Sequence, residues 1–187
     1  MRLIDTAIVE VKLVEPEVHG DHRGFFMESY HRQRLAELGI ERDFVQDNHS
    51  RSRAGVLRGL HYQLGRPQAK LVRATRGRVF DVVVDLRRGS PSFGRWVGAE
   101  LTEDNHRMLF SPEGFGHGFV VLSDVAEFQY KCSDYYAPEE ERGIRWDDPT
   151  IDIDWPLRDT RPILSERDRT WPFLSDADPG DLPRFEP

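Results

Sequence analysis

The chain has 187 residues, 38% of them hydrophobic, with 33 acidic against 26 basic side chains and a formal net charge of -7. That length supports one substantial core, so a single domain over residues 1–187 is expected, and the negative balance argues against nucleic acid as a partner while leaving room for a small anion beside a local arginine cluster. No apolar run approaches the ~20 residues of a membrane span, and the charges scattered through "MRLIDTAIVEVKL" (1–13) leave no signal-peptide core, so no membrane association and a cytoplasmic location are expected.

In chain order, "YHRQRLAELGI" (30–40) is the clearest helical segment, with Leu35 and Leu38 three apart and Gly39 supplying a stop. "FVQDNHS" (44–50) alternates instead, placing Phe44, Gln46 and Asn48 on one strand face and Val45, Asp47 and His49 on the other. "LRGLHYQ" (57–63) sets His61 in an apolar strand. Strict alternation sends Arg58 to the opposite face, but Gly59 between them permits a bulge that brings both to one cavity. "RVFDVVVDL" (78–86) alternates again, with Phe80, Val82, Val84 and Leu86 opposite Val79, Asp81, Val83 and Asp85. Such strands are expected to bury one face fully and keep the other partly polar. "RRGSPSFGRW" (87–96) is turn chemistry between two strands. In "FQYKC" (128–132), Phe128, Tyr130 and Cys132 share an inward face. Cys132, the single cysteine, cannot make an intrachain disulfide and reads as a buried, inert thiol. After Trp146 the texture turns Pro- and Asp-rich and irregular, a segment expected to wrap the strands with a short helix near Ser165.

His61 admits three readings: metal ligand, catalytic base or hydrogen-bonded core residue. Gly55, a five-residue gap, then His61-x-Gln63 resembles the first motif of cupin barrels with an amide where the second histidine belongs. An amide is a poor ligand for a borderline metal. "SPEGFGHGF" (111–119) carries Pro112, Gly114 and His117 in the spacing of the second cupin motif. Two histidines without a neighbouring carboxylate fall short of the three protein ligands of a catalytic zinc site, so no metal is expected. An arginine, a histidine and a glutamine converging on a barrel interior are costly to bury without a ligand, which favours a site. The fold expected is all-β, a cupin-type β-barrel or jelly roll with a few short helices and an irregular C-terminal segment.

Five segments carry a more specific resemblance: "DHRGFFMESY" (21–30), "FVQDNHSRSRAGVLRGLHYQ" (44–63), "KLVRATRGRVFDVVVDLRRGSPSFGRW" (70–96), "SPEGFGHGFVVLSD" (111–124) and "WDDPTIDIDWPL" (146–157). Together they resemble, in register, the dTDP-4-dehydrorhamnose 3,5-epimerase family of the cupin fold. The resemblance implies an isomerase that converts dTDP-4-dehydro-6-deoxy-D-glucose to dTDP-4-dehydro-L-rhamnose at carbons 3 and 5, without metal or organic cofactor, as a homodimer. It implies that His61 is the base, Asp168 of "LSERD" its partner, Tyr130 the acid, and Lys70 with Arg58 the holders of negative charge on the enolate. It further implies substrate contacts from Arg23 and Arg58 to the diphosphate, Phe26 and Glu28 to the nucleoside, Gln46 and Asn48 through their amides, and His117 and Tyr136 in the cavity wall. Asp81 receives no role. Two alternatives stay open: an epimerase that inverts one carbon of a related dTDP-keto-deoxysugar, and a non-catalytic nucleotide-sugar-binding cupin. The presence of His61, Asp168, Tyr130 and Lys70 together speaks against the second.

Overall fold

The structure, a computed structural model, describes residues 1–157 and 160–186. Its strands are β1 (Arg2–Ile4), β2 (Lys12–Glu15), β3 (Val18–Asp21), β4 (Gly24–Met27), β5 (Gln46–Arg53), β6 (Leu57–Gln63), β7 (Lys70–Arg76), β8 (Arg78–Asp85), β9 (Trp96–Thr102), β10 (Met108–Ser111), β11 (Phe115–Val121), β12 (Val125–Cys132) and β13 (Glu141–Gly143). Two short helices interrupt them, α1 (Arg32–Glu37) and α2 (Glu166–Thr170). One sheet runs β1-β2-β10-β7-β12-β5, a second β13-β6-β11-β8-β9, and β3 pairs only with β4 as a separate hairpin. The two large sheets pack as a jelly roll, bearing out the expected all-β cupin architecture. No helix among the described residues is long and apolar enough to cross a membrane.

Period-two alternation builds the interior. Leu13, Val72, Ala74 and Phe128 of the first sheet meet Val79, Val83 and Phe119 of the second in one buried cluster. Each large side chain so buried contributes ~1.5–3 kcal/mol. β8 keeps the expected half-polar pattern, but both of its faces are covered. Asp81 and Asp85 lie with Val79 and Val83 on the inner face, fully buried. The other face, with Val82, Val84 and Leu86, packs under Ile151, Trp155, Leu174 and Leu182 of the irregular C-terminal segment. That segment therefore forms a third layer, and α2 within it begins at Ser165, as the sequence suggests.

α1 lies over the outer face of the six-stranded sheet. His31 caps it by accepting from the Arg34 amide, Leu35 is buried, and Gly39 at φ +77° follows its end. Phe44 corrects one expectation. The strand begins only at Gln46, and Phe44 turns outward to pack edge-on against Tyr30 in the cluster beneath α1 instead of sharing a face with Gln46 and Asn48.

β6 carries the bulge that Gly59 permits: its register with β11 shifts between His117 and Phe119. Gly59 has φ +128°, and a Cβ there would lie 2.5 Å from Gly118 Cα. Only glycine meets both conditions. This local departure from alternation turns Arg58 and His61 toward one cavity.

Candidate active site

At one end the two sheets part around a cavity of about 580 Å³, within the range that encloses a small organic ligand. β6 supplies Arg58 and His61, β7 Lys70, β11 His117, β12 Phe128, Tyr130 and Cys132, and β5 Gln46 and Asn48. α2 closes one side with Arg167 and Asp168.

His61 Nε2 and Asp168 Oδ1 stand 2.6 Å apart. Ser165, the cap of α2, donates its hydroxyl to Asp168 Oδ2 at 2.7 Å and accepts from the Asp168 amide at 3.1 Å. Burial alone would push the Asp168 carboxyl up, but His61, the Ser165 hydroxyl and the Gly59 amide together hold it below its ordinary value. An ionised Asp168 accepts from Nε2–H, which fixes the tautomer and leaves Nδ1 with a free lone pair. The His61 side chain keeps 25% exposure against 4% for Asp168, so the imidazole opens on the cavity while its partner is sealed.

Lys70 is half-buried on the cavity floor, and burial lowers its pKa against the pull of Cys132, Glu141 and Asp81. Asp81 is buried, its carboxyl pushed up by burial against the pull of His117 and Lys70, and His117 Nε2 stands 3.0 and 2.9 Å from its two oxygens. His117 is itself buried and stacks on Phe128. Burial also raises the Cys132 thiol, in keeping with an inert side chain. Gln63 answers the question of the missing cupin histidine. Its amide donates to Arg66 O at 2.7 Å and Tyr135 O at 3.3 Å and accepts from the Ala137 amide at 2.9 Å, tying loop to strand.

Tyr130 belongs to the six-stranded sheet and His61 to the five-stranded one, so the phenol and the imidazole line the cavity from opposing sheets. Burial raises the Tyr130 pKa, which keeps the phenol protonated. Polar side chains form a ladder on the same sheet as the phenol: Gln46 donates to Asn48 Oδ1 at 3.1 Å and accepts from the Tyr136 amide at 2.9 Å. Arg58 reaches back to Ser52 Oγ at 3.3 and 3.2 Å.

The cavity thus assembles His61, Asp168, Lys70, Tyr130, Gln46, Asn48, Arg58, His117 and Tyr136. Arg23, Phe26 and Glu28 lie elsewhere, on and just after the exposed hairpin β3–β4, where Arg23 pairs with Asp21 and Glu28 with Arg34. The hairpin contacts neither large sheet as a strand partner, so within one chain these three do not join the cavity. Glu141 and Arg167 do line it and escaped the sequence reading. Glu141 accepts from Tyr136 Oη at 2.9 Å and pairs with Arg167. Arg167 stands directly before Asp168, the one signal that could have found it; Glu141 is hidden in the acidic run "PEEER" (138–142). A larger groove of about 870 Å³ lies apart from this chemistry. Two of its arginines, Arg42 and Arg87, are already paired with Glu113 and Glu10.

A jelly roll whose cavity is lined by a carboxylate-backed imidazole on one sheet and by a phenol and an ammonium on the other fits the class of cupin-type acid–base isomerases, which move protons on and off carbon. Residues 5–176 match the model of the dTDP-4-dehydrorhamnose 3,5-epimerase family. The chain is 59% identical over 179 residues to the dTDP-4-dehydrorhamnose 3,5-epimerase of Pseudomonas aeruginosa, covering 95% of this chain and 98% of that one. Among solved structures, a dTDP-6-deoxy-D-glucose-3,5-epimerase from Legionella pneumophila in complex with dTDP-4-keto-L-rhamnose superposes with a TM-score of 0.96 at 51% identity, covering 100% and 99% of the two chains. A 3'-monoepimerase from Streptomyces bikiniensis in complex with dTDP-quinovose gives 0.89 at 37%, covering 95% and 91%. The chain belongs to the dTDP-4-dehydrorhamnose 3,5-epimerase family, and its activity is that of an isomerase.

Proposed function

We propose that this chain epimerises dTDP-4-dehydro-6-deoxy-D-glucose at carbons 3 and 5, giving dTDP-4-dehydro-L-rhamnose, with His61 as base and Tyr130 as acid. The observation that carries the reading is their placement on opposing sheets across one cavity. Both carbons flank the ketone at carbon 4, so loss of either proton gives an enolate. His61 Nδ1 takes the proton, and Asp168 stabilises the imidazolium that forms. Lys70 holds the charge that develops on the ketone oxygen, and such a donor in a water-poor site contributes ~2.7–4 kcal/mol to the transition state. Tyr130 returns a proton from the other side of the ring, which inverts the carbon. Arg58 offers a forked cation to the diphosphate, which is how a chain of net charge -7 holds an anion. Gln46, Asn48, His117 and Tyr136 orient the nucleotide sugar.

In this reading the active enzyme is a homodimer in the cytoplasm. Phe25 and Phe26 are 59% and 69% exposed on a hairpin without a sheet partner, an apolar surface that calls for a cover. A second copy would provide it, and would let Arg23, Phe26 and Glu28 complete its neighbour's nucleoside site. Sedimentation analysis of the wild type and of Phe26→Ser tests the dimer.

The decisive experiment is incubation with the substrate in heavy water, a chelator present, with deuterium followed at carbons 3 and 5 by NMR. Exchange at both carbons is expected. Exchange at one alone would assign the chain to single epimerisation, and tight binding without exchange would leave it a binding protein.

A further inference from the structure

Directly across the β6–β13 ladder from His61 stands Gly143. Cross-strand partners project to the same face, so a side chain at 143 would press on the imidazole's flank. That space is filled from another part of the chain. A Cβ on Gly143 would lie 2.6 Å from Trp171 Cε2 and 2.7 Å from Trp171 Cδ2. Trp171 follows the last turn of α2 and meets His61 edge-on, with ring centroids 6.1 Å apart at 65°. Aromatic pairs attract in this geometry. The segment around α2 therefore reaches His61 at two points, with the Asp168 carboxylate on a ring nitrogen and the Trp171 indole beside the ring.

A single hydrogen bond fixes which nitrogen carries the proton but leaves the imidazole free to swing about that bond. A ring edge against its flank removes the swing. The indole Nε1–H is buried without a hydrogen-bond partner among the described residues. What meets His61 is the indole ring itself and not a hydrogen bond from this donor.

We propose that Trp171 is a positioning residue for the epimerisation: packed into the space left by Gly143, it holds the His61 ring so that Nδ1 faces the sugar. The inference rests on His61 being the base. A misplacement of the base by about 1 Å can cost about a hundredfold in rate. Trp171→Ala is therefore expected to lower kcat by about tenfold to a hundredfold with KM almost unchanged. Trp171→Phe, which keeps an aromatic ring beside His61 while losing the five-membered ring with its unpartnered N–H, should restore most of the rate. Wild-type kcat in Trp171→Ala, or equal loss in the alanine and phenylalanine variants, would overturn the proposal.

A second readout needs no turnover and stands even if Trp171→Ala fails to fold. The ring current of an adjacent indole displaces the ring-proton resonances of an imidazole, so the His61 signal in the proton NMR spectrum should move between wild type and Trp171→Phe. A His61 signal that stays in place would overturn the contact. The signal is assigned by its loss in His61→Asn. Turnover in the same variant separates the two readings. If His61→Asn is active, the base assignment falls, whereas if it is inactive and Trp171→Ala runs at full rate, only the positioning role falls.

Discussion

Asp168 Oδ1 lies 2.6 Å from His61 Nε2, although 107 positions separate the two residues in the chain. The carboxylate arrives on α2, is oriented by Ser165 and accepts from the Gly59 amide at 3.5 Å, so its geometry is fixed from three directions. Asp168→Asn keeps the shape but offers His61 an N–H, favouring the tautomer with the proton on Nδ1, the nitrogen proposed to act as base. We expect kcat to fall by ~10²–10⁴-fold with a small change in KM, measured by deuterium uptake into substrate. The same pair makes stability depend on pH. The folded pKa of Asp168 is held below its unfolded value, so the stabilisation is fully present above the ordinary aspartate value of ~3.9 and is lost as pH falls through the lowered folded value. Urea unfolding of wild type and Asp168→Asn should differ at neutral pH and converge in acid; a gap that stays constant into strong acid would contradict the linkage.

In the proposed mechanism Lys70 serves function at the expense of stability. Burial lowers its pKa, so the charged ammonium costs the folded state free energy throughout the neutral range, a cost that ends only above the unfolded lysine value of ~10.4. Lys70→Met should therefore raise the unfolding midpoint at neutral pH while lowering kcat by ~10²–10³-fold through loss of enolate stabilisation. In the wild type, kcat should decline in alkali below the ordinary lysine range. Lys70→Arg, which stays charged, should push that decline to higher pH. A wild-type profile flat through pH 10.5 would remove Lys70 from the chemistry.

The parts of this molecule that were legible in its sequence are those written in local periodicity. Tyr130 was placed inward by its alternation with Phe128 and Cys132, and the cavity contains all three. Gly59 announced the bulge, because a glycine between two polar side chains in a strand marks a break in alternation. β8 has the partly polar face that its alternation suggests, but period two does not tell that this face is buried as well: Asp81 is fully buried and finds His117 there. Relations created by tertiary structure left no local mark. The approach of Asp168 to His61 followed only from the family resemblance, and Glu141, Arg167 and Trp171 became visible as cavity or ring neighbours only in three dimensions. The hairpin residues Arg23, Phe26 and Glu28 show the converse limit, since their motif is plain and one chain does not bring them to the cavity.

Gly59 carries two constraints at once, a positive φ of +128° and backbone contact with the neighbouring strand at Gly118. Gly59→Ala puts a methyl group 2.5 Å from Gly118 Cα and 2.9 Å from His117 O, neither of which can move without shifting β11. The positive φ alone costs ~1–3 kcal/mol for a residue with a side chain. The variant should lose at least that much stability in denaturant titration. It should also lose turnover disproportionately, because the bulge is what turns Arg58 and His61 to the same cavity. An active, fully stable Gly59→Ala would mean that the bulge is dispensable.

Tyr130 lines the cavity from the sheet opposite His61, and burial keeps its phenol protonated. Its removal should separate the two halves of the reaction. In the proposed mechanism deprotonation at carbons 3 and 5 depends on His61 and Lys70, so Tyr130→Phe should still exchange substrate hydrogen for deuterium. Inversion needs a proton from the other side of the ring, so product of inverted configuration should form more slowly than label is incorporated. In the wild type the two processes should keep pace. NMR of the sugar carbons in heavy water reads both at once: label position gives exchange, and ring coupling constants give configuration. One carbon should be affected more than the other, because one phenol cannot sit equally close to carbons on the two sides of the ketone. Equal loss of exchange at both carbons in Tyr130→Phe would assign the phenol to binding the sugar, and the acid would then have to be sought among the other groups that line the cavity.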